Sequence, residues 1–171
     1  MRLYGEAVAV QIAGDYCSAA DLGGNLELDL PREEGVSFNP RIARVVSLVI
    51  QECDVTDPAQ LRIAVYSCVA NDRISALPGD VASELASVRD ASSGRPAWIQ
   101  GISLALMLDR VRHLHMMTSA FEDKDAYLAQ VRASPLLLPE SGAPERLRSK
   151  VLHAVDLQVR RLADDREKVQ G

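Results

Sequence analysis

The sequence predicts an all-α bundle of six to eight helices, and three observations carry that prediction. Aromatic residues make up only 4% of the chain, so Ala, Leu and Val do the packing, a balance that favours helices on propensity. Two segments, "NPRIARVVSLVIQEC" and "TDPAQLRIAVYSCVAND", open on a capping residue followed by proline. Proline at the first helical position loses only an N–H that would be unpaired anyway. Behind both starts, apolar residues recur at steps of three and four.

Taken in order, residues 1–38 form a region that precedes the bundle or packs on it, and residues 39–171 form the helical domain. Residues 5–22 read as a helix interrupted by Gly14 and ended by Gly23-Gly24. Residues 25–37 read as a loop, with a short extended piece at Leu26–Leu30 before Pro31. Asn39 then caps a helix in which Ile42, Val45, Val46, Val49 and Cys53 form one stripe. Asp57 caps the next, whose stripe runs through Leu61, Ala64, Val65 and Cys68. "LPGDVASELASVRDA" is a third, shorter helix, ended by "SSGRP".

A long helix is expected from about Ala97 to Phe121. "FEDKDAYLAQVRA" restarts at an Asp cap, and "SPLLLPESGAP" connects it onward. "ERLRSKVLHAVDLQVRRLADDREK" closes the chain with Leu147, Val151, Val155 and Leu162 on one face. The chain contains no internal repeat and no low-complexity segment.

At 171 residues the chain fits one domain able to bury its own core. With 47% hydrophobic and 25% charged residues it reads as an ordinary soluble protein. The net charge of −5, without any basic block longer than a residue pair, argues against nucleic-acid binding. The start has no charged region followed by an apolar core, and no apolar run reaches membrane-spanning length, so a cytoplasmic protein is expected. Cys17, Cys53 and Cys68 are widely spaced and odd in number, which fits reduced, mostly buried thiols rather than a zinc site.

The polar residues on buried faces hold the functional information. In "LALMLDRVRHLHMM", Ile102, Ala105, Leu106, Asp109, His113 and Met116 follow one another at steps of three and four. Asp109 therefore projects from an apolar stripe, where an isolated carboxylate needs a cation, several donors or a proton. His113, one turn on, is a candidate partner, and the two could equally offer two metal ligands from one face. Arg110 and Arg112 sit further round the helix, and His115 points elsewhere. His153 on the last helix is a further candidate neighbour. A second polar edge comprises Cys68, Asn71 and Asp72, for which a core thiol and a helix-terminal turn are the plain structural explanations.

These pieces, in this order, resemble the hydrolase domain of RelA/SpoT-type guanosine polyphosphate 3′-pyrophosphohydrolases, a bacterial branch of the HD superfamily. "FNPRIARVVSLVIQECDVTDPAQLRIAVYSCVAND" is similar to that family's helix beginning His-Pro, its acidic connector, and its helix ending in His-Asp followed by Glu-Asp. "LPGDVASELASVRDA" is similar to the segment where a Gly-containing turn leads into the next helix, and "LMLDRVRHLHMM" to the late "LADRLHNM" helix. The resemblance runs from about Phe38 to Ala163 and implies an HD-like helical bundle.

The family holds a divalent cation, usually Mn2+, with the first His, the His-Asp pair and the late Asp. Here Asn39, Ser67 and Cys68 stand at the first three positions, and only Asp109 remains. Asn71 replaces one residue of the following acidic pair and Asp72 keeps the other, while His113 stands where the family has a nucleotide-contacting Asn. One carboxylate, one amide, one hydroxyl and one thiol make a poor site for a hard cation. The resemblance therefore implies a degenerate, metal-free, catalytically inactive domain. Its remnant cleft would be lined by Asn39, Ser67, Cys68, Asn71, Asp72, Asp109 and His113. Such a domain would bind a protein partner or sense a guanine nucleotide, and it could form oligomers. The alternative is a divergent phosphohydrolase, with or without a divalent cation, acting on a pyrophosphorylated nucleotide through Asp72, Asp109 and His113.

Overall fold

The computed structural model describes residues 39–68, 79, 81–83, 85, 95–117 and 119–170. The expectations for residues 1–38, and those for Asn71 and Asp72, lie outside them. Among the described residues every regular element is helical, as an all-α bundle requires.

Helix α1 (Asn39–Cys53) buries Ile42, Val45, Val46 and Val49, the stripe that the spacing predicted. Its end is marked by Asp54, whose φ of 53° is the left-handed conformation that commonly stops a helix. Helix α2 (Pro58–Tyr66) starts as expected: the Asp57 carboxylate accepts a hydrogen bond from the Ala59 N–H at 3.0 Å. Beyond it, Gly79, residues 81–83 and Leu85 are helical, and Val81 and Leu85 are buried one turn apart.

Helix α3 (Ala97–His113) is the centre of the bundle, with Ile102, Leu104, Ala105, Leu108 and Val111 fully buried. It ends eight residues before the predicted Phe121. The chain tightens into a 3-10 turn over Leu114–Met116 and becomes extended at Met117. Apolar residues keep helical spacing through this turn, so periodicity alone reads across it. Helix α4 (Phe121–Arg132) also differs from expectation, because Ala120 rather than an Asp precedes it and no side chain caps it. Glu122 and Asp123 lie instead in its first turn, where negative charge suits the helix dipole.

The connector "SPLLLPESGAP" forms two 3-10 turns, Pro135–Leu137 and Pro139–Ser141. Buried Ser141 clamps them: its hydroxyl donates to the Leu136 carbonyl at 3.1 Å and accepts from the Ala143 N–H at 3.2 Å. Helix α5 (Glu145–Gln170) then spans 26 residues, about 39 Å at 1.5 Å per residue.

Helix α3 packs against α1 on one side and α5 on the other, and α5 also carries α4. Gly101 permits the first of these contacts: a Cβ there would lie 2.5 Å from the Cys53 sulfur. Ion pairs fasten the periphery, with Lys150 on Glu52 joining α5 to α1, and Arg132–Asp156 and Arg166–Asp125 joining α4 to α5. No helix among the described residues is long and apolar enough to cross a membrane.

Candidate functional site: a carboxylate held by two arginines

Asp109 is 5% exposed, so its charge has lost most of the water that would stabilise it. The compensation comes from α1. Arg44 Nε donates to Asp109 Oδ1 at 2.6 Å, and Arg41 Nε lies 3.6 Å from Oδ2. Arg41 and Arg44 are three residues apart on one flank of α1, beside the Ile42–Val45–Val49 stripe. Packing of that stripe on α3 therefore carries both guanidinium groups to the carboxylate. Charge-assisted bonds of this kind are about twice as strong as neutral ones.

His113 plays a smaller part than its spacing predicts. Its Nδ1 donates to the Asp109 backbone carbonyl at 2.7 Å and stands 3.6 Å from Oδ1. The hydrogen bond closes the last turn of α3, and the ring is a neighbour of the carboxylate rather than its main partner. Arg110, further round the helix, lies over the Tyr127 ring at 4.6 Å. Arg112 lines a separate groove, which His153 lines too.

Ser67 and Cys68 follow the end of α2. The Ser67 hydroxyl donates to the Ile63 carbonyl at 2.6 Å, and the Cys68 thiol to the Ala64 carbonyl at 3.6 Å. Both side chains are thus turned back on their own helix. Burial pushes the Cys68 thiol up to about 12, with Asp109 adding to the rise while Arg41 and Arg44 oppose it. Cys68 thus lies within electrostatic reach of the same three charges, and its burial leaves it protonated and inert. Burial likewise raises Cys53 to about 11, helped by Glu52 and Asp54.

The structure thus brings Arg41, Arg44, Cys68, Asp109 and, at the edge, His113 together. Asn39 begins α1 on the same helix as the two arginines. Arg41 and Arg44 are what sequence reasoning missed. Their one trace in the sequence is the Arg-x-x-Arg spacing beside a buried stripe, which does not by itself name Asp109 as the partner.

Among the described residues, the surroundings of Asp109 do not favour a divalent cation. It would have to approach Asp109 to roughly 2 Å, where Arg44 already holds Oδ1 and Arg41 faces Oδ2. Repulsion between the ion and two guanidinium groups at such range would oppose binding. The hydroxyl of Ser67 and the raised thiol of Cys68 are weak donors in its place. Among the described residues, no three His, Cys, Asp or Glu side chains are grouped to hold a metal. Neither a protein-family model, nor a curated protein, nor a solved structure matches this chain.

Proposed function

We propose that this chain is a non-catalytic HD-type domain that works by binding, as a protein-interaction or nucleotide-sensing module. The observation that supports the reading best is the pairing of Asp109 with Arg44 and Arg41. A carboxylate that would ligate a cation in the resembling family instead neutralises two side chains of the same fold. A permanent, hydrogen-bonded cation supplied by the chain can hold α1 against α3, but it cannot activate water as a metal does. The frame is retained by a different interaction and the chemistry is given up.

The rearranged-phosphohydrolase reading needs Asp109 to leave Arg44 in order to act as a base or ligand. Turnover separates the two. The purified chain, supplied with manganese and a guanosine polyphosphate, is expected to release no pyrophosphate. Manganese-dependent release that disappears in Asp109→Ala would establish the enzyme instead.

A further inference from the structure

A groove of about 800 Å3 runs along α5, with Arg112 at the end of α3 contributing to its wall. That volume falls within the roughly 300–1,000 Å3 of small-molecule sites. None of Arg41, Arg44, Cys68, Asp109 or His113 lines it, so it is separate from the carboxylate site. Its walls are basic although the chain carries a net charge of −5.

The cations are not equivalent. Lys150 is paired with Glu52, and Lys168 with Asp165. Arg112, Arg160 and Arg161 also line the groove and have no carboxylate partner among the described residues. Three guanidinium groups without a carboxylate partner among the described residues repel each other around one concavity, and an anion between them would remove that repulsion. The placement of Arg112 is fixed from below, because the buried Gln158 side chain donates to its backbone carbonyl at 3.0 Å. Arginines from two elements are thereby held in register. His153 adds a ring nitrogen eight residues before Arg161, about 12 Å along the helix.

The distribution points to the kind of anion. The arginines come from two elements, Arg112 from α3 and Arg160 and Arg161 from α5, so a ligand with linked anionic groups engages more of them than a single phosphate does. Guanidinium groups match phosphate oxygens in pairs. Between them Leu157, half exposed, and Ala154 give the groove an apolar strip on which a flat ring can lie. Asp164 and Asp165 bound the groove toward the end of α5 and disfavour anions there, which confines the site to its middle.

We infer that this groove is a binding site for an oligophosphate, two or more linked phosphates presented either free or on a nucleoside. The inference does not rest on the proposed HD-type reading, since none of the residues of the carboxylate site lines the groove. Calorimetric titration of the full chain with sodium tripolyphosphate, with ATP and with hexaglutamate tests it, at physiological salt and without added metal. One-to-one binding of tripolyphosphate or ATP is expected, weakened about tenfold or more in Arg161→Gln and in Arg112→Gln. Arg166→Gln, which alters a cation paired with Asp125 outside the groove, should bind like the parent. Tighter binding of ATP than of tripolyphosphate would identify the nucleoside-borne form, and equal binding the phosphate chain alone. Absence of binding by both phosphates, hexaglutamate binding as tightly as either, or indifference to both groove substitutions would overturn the inference.

Discussion

Arg44 Nε stands 2.6 Å from Oδ1 of Asp109, joining the first described helix to the central one across 65 residues of sequence. The pair is unequal in burial, with the Asp109 side chain 6% and the Arg44 side chain 37% exposed. Asp109 therefore depends on the arginine more than the arginine depends on it.

That asymmetry sets the first prediction. Removing one partner of a fully buried pair costs about 3–5 kcal/mol, and partial solvation of Arg44 lowers the expected cost of Asp109→Asn to about 2–3 kcal/mol. Chemical denaturation measures it. A double-mutant cycle of Asp109→Ala with Arg44→Ala should show a coupling of at least about 1 kcal/mol. Additive effects would mean that the contact contributes nothing of its own.

Cys53 and Cys68 should resist thiol reagents in the folded chain. With values raised to about 11 and about 12, almost no thiolate is present near pH 8. In a Cys17→Ser background, colorimetric thiol titration should find both groups slow until denaturant is added. Rapid native modification of Cys68 would contradict its placement at the end of α2.

Gly101→Ala tests the contact of α1 with α3. The new methyl would lie 2.5 Å from the Cys53 sulfur, and overpacking of this kind costs about 1–3 kcal/mol. Cys53→Ala should restore much of the loss in the double variant, as read by melting temperature. A Gly101→Ala chain as stable as the parent would show that the helices are further apart.

His115 supplies a pH dependence. Burial holds it below its ordinary 6.5, and the charges of Arg161 and His113 act in the same direction, against the Arg112 carbonyl and Asp165. The unfolded chain thus takes up a proton at a pH where the folded chain does not. The penalty is absent above about 6.5, and stability falls as pH drops beneath that value toward the lowered one. His115→Gln should therefore narrow the difference in stability between about pH 7.5 and about pH 5.5. An unchanged difference would assign the acid sensitivity to other groups.

The helices were readable from sequence wherever a buried stripe coincided with a start signal. Asp57-Pro58 is the clearest case, since a local hydrogen bond to Ala59 makes the start independent of the rest of the fold. The boundary at His113 was not readable, because Leu114 is buried and continues the apolar pattern into a turn of different geometry. Asp109 was recognisable as a problem: a carboxylate on an apolar stripe demands a partner. Its partners were not recognisable, because Arg41 and Arg44 have the composition of a solvated helix flank and become specific only when α1 docks on α3. His113 illustrates the same limit in reverse, as its i, i+4 spacing allowed a side-chain pair while its Nδ1 chose the backbone carbonyl.

Arg41 and Arg44 supply at Asp109 the positive charge that a cation would otherwise bring. Metal analysis of the chain, equilibrated with manganese and then passed through a desalting column, addresses this most directly. Manganese is expected well below one equivalent in the parent chain. One tightly held equivalent, lost in Asp109→Ala, would contradict it.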